Sequence, residues 1–151
     1  LCAFQDVCSR RVVGYYVMAA MPEELVTTAL WRALRAEAPA PGLVVHSDRG
    51  GQYCARVYRA LLARHGSIWS QSRRGECYDN AQAESLWSRL KREGLEAHAW
   101  PVFADLADAQ ASIAAYFDYY NHECLHLAIG YQTPYLTHHQ FLATSALNCP
   151  G

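Results

Sequence analysis

Leu43-Val44-Val45-His46-Ser47-Asp48-Arg49-Gly50-Gly51 decides how the chain is read. Its first four residues form a short, mostly apolar run, the pattern of a strand buried on both faces of a parallel sheet. Small, polar and glycine residues follow, so the run ends in a loop. The C-terminal ends of parallel strands are where α/β folds collect their ligands. Asp48 therefore stands where an α/β protein places its chemistry. Taken alone, a Ser-Asp-Arg-Gly stretch is more often an ordinary turn.

Working outward, residues 1–6 and 11–19 are rich in Val, Tyr and Phe and read as two strands, with Cys8-Ser9-Arg10 as the turn between them. Pro22 opens a helix, with Glu23 and Glu24 in its first turn. Leu25, Ala29, Ala33 and Ala36, with Val26, Leu30 and Leu34, form its apolar stripe, and Pro39-Ala40-Pro41-Gly42 stops it. Beyond the decisive stretch, residues 55–65 read as a helix ended by Gly66, 67–70 as a short strand and 71–77 as a polar loop. Asp79-Asn80-Ala81-Gln82 has the form of a cap followed by a capping-box glutamine. The helix it starts runs to about Glu93, with Gly94 ending it. Residues 105–120 form a further amphipathic helix. From Asn121 onward the sequence carries Tyr, His and Pro and shows no clear periodicity. The order strand, strand, helix, strand, helix, strand, helix, helix is an α/β pattern that mixes a hairpin with parallel crossovers.

The 151 residues suffice for one domain with a core, and 52% apolar with 18% charged residues is globular rather than disordered composition. No apolar run approaches the ~20 residues of a membrane span. Thirteen Lys and Arg against 14 Asp and Glu leave a net charge of −1, so contact with nucleic acid has to rest on a local patch. Six cysteines at 2, 8, 54, 77, 124 and 149 include no Cys-x-x-Cys pair. A zinc knuckle or redox motif is not indicated, and the scatter fits reduced thiols.

A second carboxylate, Glu84, falls near the start of the capped helix. Lys91 lies seven residues later; at ~100° per residue the two share a row, with Ser88 between them. Ala83, Trp87, Leu90 and Gly94, with Leu86, form the adjacent apolar stripe, so Glu84 borders the buried face. A carboxylate at a strand end facing one on a helix can hold a hard divalent cation. A lysine along the same row can meet a phosphate backbone. The bland alternative is that Glu84 and Lys91 decorate a solvated helix face.

Residues 46–53, His-Ser-Asp-Arg-Gly-Gly-Gln-Tyr, resemble the second-aspartate motif of bacterial insertion-sequence transposases with a retroviral-integrase-like (DDE-type) core. Residues 70–87, with Ser88-Arg89-Leu90-Lys91-Arg92-Glu93 continuing them, resemble that family's glutamate motif, and 35 residues separate Asp48 from Glu84 as in the family. Residues 6–14 are similar to the upstream hairpin. Tyr120-Asn121, His126 and Gly130-Tyr131-Gln132-Thr133-Pro134 are similar to the closing motif.

The resemblance covers nearly the whole chain and implies a ribonuclease-H-like mixed sheet flanked by helices. It implies an Asp, Asp and Glu triad holding two Mg²⁺ (or Mn²⁺) ions, and cleavage and strand transfer of transposon DNA ends by an oligomeric enzyme of the bacterial cytoplasm. Asp48 takes the place of the second triad member and Glu84 that of the third. Lys91 takes a position that touches DNA, and Arg73, Arg74 and Arg92 are further candidates for backbone phosphates. Asn80 is a supporting residue, most simply a cap, and Asp6 is structural support.

The family's first aspartate is expected on a strand ahead of the Asp6 hairpin. The chain is therefore read as a core of residues 1–145, truncated at its N-terminus and lacking the central strand of the sheet, with a tail at 146–151. Such a chain is expected to be inactive alone. The second expectation is a non-catalytic remnant, or a binding fragment that poisons intact transposase. The resemblance also places an arginine where this chain has Cys124, so Cys124→Arg is expected to raise DNA affinity or thermal stability.

Overall fold

The structure, a computed structural model, describes residues 1–73, 81–95 and 103–147. Strands β1 (Cys2–Gln5) and β2 (Val12–Tyr16) form an antiparallel hairpin, with Cys2 opposite Tyr16, Ala3 opposite Tyr15 and Phe4 opposite Gly14. Helix α1 (Glu23–Glu37) follows, then β3 (Val44–Ser47), a 3₁₀ turn at Gly51–Cys54, α2 (Arg56–Arg64) and β4 (Ile68–Gln71). Strands β3 and β4 pair in parallel, Val44 with Ile68 through Ser47 with Gln71. Helix α3 (Ala81–Arg89) continues into a wider, π-type turn at Leu90–Leu95; α4 (Leu106–His122) and α5 (Pro134–Leu147) complete the described elements.

The hairpin is buried on both faces because its side chains alternate. Cys2 and Phe4, with Tyr16 and Met18, face a core built on Leu25, Val26, Ala29, Leu30 and Leu34 of α1 and Tyr58 and Leu62 of α2. Leu1, Ala3, Tyr15 and Val17 face the opposite way, onto Leu86 and Leu90 of the α3 region and Ile113, Tyr116, Phe117 and Tyr120 of α4. Each fully buried aliphatic or aromatic side chain is worth roughly 1.5–3 kcal/mol against leaving it in water. Two helical layers thus sandwich the hairpin. Val45 joins the α1 layer and so positions the decisive strand beside the hairpin.

Several sequence expectations change in detail. A single mixed sheet is expected; the described strands form two separate pairs, β1–β2 and β3–β4. Between the two pairs the contact is made by side chains: Cys2 and Val45 share one core, and the Cys2 thiol lies 3.7 Å from the Tyr53 hydroxyl. Pro22 is the N-cap of α1 rather than its first helical residue. Gly94 does not end the α3 helix at that point, because the wider turn carries the chain to Leu95.

The region beyond Asn121 holds a helix that periodicity did not reveal. Thr133 Oγ1 accepts from Leu136 N–H at 3.3 Å and Pro134 takes the first helical position of α5. Among the described residues no helix is long and apolar enough to cross a membrane.

Candidate functional site

The strand end at β3 is held by polar contacts before any ligand is considered. Ser72 N–H donates to Ser47 C=O at 3.0 Å, extending the parallel pairing one step. The His46 ring contacts the Ser70 hydroxyl at 2.9 Å and the Ser72 hydroxyl at 3.1 Å through its two nitrogens. Arg49 Nε donates to Ser72 C=O at 3.0 Å, and Gln71 Nε2 to Asp48 C=O at 3.3 Å.

The Asp48 side chain is exposed, and its Oδ1 accepts from Gly50 N–H at 2.8 Å. This local turn fixes one carboxylate oxygen. Asp48 also lies close enough to the Cys2 thiol and the Tyr53 phenol to push their titrations upward, although burial is the larger cause for both. The Cys2 thiol is raised to about 11, so it stays protonated and unreactive at neutral pH.

Glu84 and Ser88 on α3 are exposed, as is Lys91 in the wider turn that follows, while Leu86 and Leu90 are buried. The row expected from the sequence assumes α-helical pitch up to Lys91, but the helix widens from Leu90 onward. Arg92 is exposed and lies 3.4 Å from Glu93. Arg73 is exposed. Arg74 and Asn80 lie outside the described residues, and with them the expected cap of α3. The Gln82 Oε1 is buried and has no hydrogen-bond partner among the described residues.

Asp6 belongs to the hairpin turn. Its Oδ1 accepts from Ser9 N–H at 2.7 Å and from the Ser9 hydroxyl at 2.6 Å. Asp6 C=O accepts from Arg10 N–H and Asp6 N–H donates to Arg11 C=O. Both features follow from a short polar side chain at the start of a tight turn.

The sequence did not single out Asn121 for a structural role. Its side-chain amide pairs both ways with the backbone of Val12, accepting from N–H at 2.9 Å and donating to C=O at 3.0 Å. It substitutes for a neighbouring strand beside β2, where the register shifts after Phe4. The asparagine inside the closing motif was the available signal, but pairing over more than a hundred residues is invisible to local pattern.

No hydrogen bond or ion pair links Asp48 to Glu84 among the described residues, and no group of three His, Cys, Asp or Glu side chains there could hold a metal ion. Mg²⁺ takes six oxygens in near-octahedral geometry and keeps several waters, commonly with one or two carboxylates. Two exposed carboxylates on separate elements supply hard ligands of the right kind but do not fit a complete two-ion site.

Two family profiles, each described as integrase core domain, match residues 1–77 and residues 65–134. The chain belongs to the integrase core family. Together the two matches take in both motifs that carry Asp48 and Glu84. A Shigella sonnei protein described as the insertion element IS600 uncharacterized 31 kDa protein is 39% identical over 135 residues, covering 89% of this chain and 48% of that protein. The transposase for insertion sequence element IS904 of Lactococcus lactis subsp. lactis (strain IL1403) is 39% identical over 131 residues, 85% of this chain and 50% of the relative. The transposase InsF for insertion sequence IS3A of Escherichia coli (strain K12) is 43% identical over 88 residues, 58% of this chain and 31% of the relative. The integrase-core chain thus spans about half the length, or less, of these curated relatives.

Proposed function

We propose that the chain is the catalytic-core portion of an insertion-sequence transposase, acting on DNA ends in the bacterial cytoplasm as part of a homo-oligomer. The observation that carries this reading is the pairing of two placements within an integrase core. Asp48 stands in a loop at the end of a parallel strand, and Glu84 is exposed on α3 with Lys91 exposed in the wider turn that continues it. The fold implied by the family is ribonuclease-H-like, in which a further strand between β1 and β3 would unite the two pairs seen here.

In this reading the nucleophile is a water or a DNA 3′-hydroxyl, so no serine or cysteine of the chain is asked to attack. Asp48 and Glu84 supply oxygen ligands toward Mg²⁺ or Mn²⁺. Lys91 neutralises a backbone phosphate two helical turns from Glu84, and Arg73, Arg74 and Arg92 add charge near the same strand. A second reading for the chain by itself is a non-catalytic fragment that binds DNA or intact transposase.

Calorimetric titration with Mg²⁺ and Mn²⁺ separates the two. The catalytic-core reading expects weak binding that Asp48→Ala and Glu84→Ala each abolish, with all three proteins giving a cooperative melt. A parent chain that melts cooperatively but binds neither ion would leave the binding-fragment reading as the better one.

A further inference from the structure

A second polar cleft opens on the other side of α3. It lies between the hairpin turn, α3 and the segment after α4, has a volume of about 170 Å³, and is lined by Arg10, Gln82, Ser85, Arg89, Tyr120 and His126 among others. At ~100° per residue, Gln82, Ser85 and Arg89 fall within about 60° of one another, roughly 130° round the helix from Glu84. The cleft is therefore separate from the site described above.

We propose that this cleft binds a phosphate group, held by the guanidinium groups of Arg10 and Arg89 and by the hydroxyl of Tyr120.

Three observations point to an anion. First, Arg10 makes no side-chain hydrogen bond or ion pair among the described residues, yet it lines a cleft with a second arginine. Its backbone sits at φ 66, in the left-handed region that a non-glycine residue occupies only under constraint. A turn that needed nothing from this position would accept glycine more readily.

Second, Arg89 spends only part of its donor capacity, on the His126 Nε2 at 3.3 Å and on Glu93 at 3.5 Å. A guanidinium carries five N–H donors. Burial and the two neighbouring guanidinium groups lower the His126 titration, so His126 is neutral at pH 7 and accepts from Arg89. Glu93, ion-paired with Arg89, offsets one of the two positive charges and leaves the cleft with a surplus.

Third, Tyr120 accepts from Gln5 Nε2 at 2.8 Å, and among the described residues its own O–H has no acceptor. Burial raises its titration to about 12, so that proton is present at neutral pH. Donors without acceptors and two guanidinium groups are what a phosphate group satisfies at once.

That the phosphate belongs to a DNA strand rests on the function proposed above; the binding chemistry does not. The chain, Arg10→Gly and Arg89→Gln would be titrated with inorganic phosphate by calorimetry, at constant ionic strength in chloride. The expected result is binding by the parent that weakens tenfold or more in both variants. Arg10→Gly is the sharper test, because glycine suits the backbone there and the variant should melt no lower than the parent. No phosphate binding by the parent, or binding unchanged in Arg10→Gly, would overturn the proposal.

Duplex DNA binding across a salt series assigns the source. A slope reduced by about 1 in Arg10→Gly identifies a strand phosphate. An unchanged slope with phosphate binding lost identifies free phosphate. If no variant or parent binds duplex while phosphate binding survives, the DNA reading fails and the cleft stands.

Discussion

At the scale of single residues, Cys124 shows how a family pattern and a local environment can disagree. The resemblance calls for arginine at this position and suggests a gain from restoring it. In the structure Cys124 is 6% exposed, its N–H donates to Tyr119 C=O at 3.2 Å, and its thiol is in contact with the Tyr119 side chain. A guanidinium there must either be desolvated without a partner or force α4's end outward. Overpacking a core site costs about 1–3 kcal/mol, and an unpaired buried charge costs more. Cys124→Arg is therefore expected to lower the melting temperature by roughly 3–10 °C, contrary to the sequence expectation. A differential scanning calorimetry trace that shifts upward would show that the end of α4 opens freely. The same scale explains which site residues were legible. Asp48 and Glu84 stood out as candidates because a strand end and a capped helix can be read locally, and their roles came from the family resemblance rather than from the pattern. Arg10, Gln82 and Tyr120 could not, because their relation is a cleft formed by three distant segments.

At the scale of elements, most of the architecture follows from local pattern. The hairpin, α1, β3, α2, β4, α3 and α4 all lie within a few residues of where apolar periodicity and Pro or Gly punctuation place them. What failed was the region after Asn121, where α5 carries apolar residues on exposed positions, Tyr135, Leu136, Phe141 and Leu142 among them. A helix whose apolar side chains do not gather on one face gives no 3.6-residue stripe to read. Its start signal, Thr133-Pro134, was present and is the feature to weigh in such cases. The packing of β2 on α1 could be anticipated only as a layer, not as a distance. Gly14 shows how close it is: a Cβ built there would lie 2.6 Å from the Cβ and backbone nitrogen of Ala33 and 2.7 Å from its Cα. Backbone cannot yield as a side-chain tip can, so the strand and helix would have to part. Gly14→Ala is expected to destabilise by about 1–3 kcal/mol or more, read as a lower midpoint in urea. The paired change Gly14→Ala with Ala33→Gly should recover part of the loss, since it removes one of the three colliding atoms; no recovery would place the strain in the backbone alone.

At the scale of the whole molecule, a chain of polar side chains ties together parts that the two apolar cores leave separate. Asp6 and Ser9 in the hairpin turn connect to His138 on α5, with Ser9 Oγ 3.2 Å from Nδ1. His138 Nε2 lies 2.7 Å from Glu37 Oε2 at the end of α1, and Glu37 Oε1 accepts from Arg11 NH1 at 2.6 Å. The order of groups resembles a serine nucleophile with its base, but Ser9 is fully buried and its hydroxyl donates to Asp6, so no substrate could reach it. The arrangement is better understood as a clamp on α5, which offers few apolar side chains to the cores. Removing its middle and its end should then differ. His138→Leu leaves Ser9 with Asp6 and Glu37 with Arg11, so the loss should be about 1–2 kcal/mol. Glu37→Leu strands both Arg11 and His138 in a mostly buried setting and should cost more. Because the two residues share one interaction, the double variant should lose less than the two single losses added together, by roughly 0.5–3 kcal/mol. Urea denaturation of the four proteins measures that difference directly. Simple additivity would mean that α5 is held by its backbone and Pro134 rather than by the clamp, and hydrogen exchange in α5 would then be unchanged by His138→Leu.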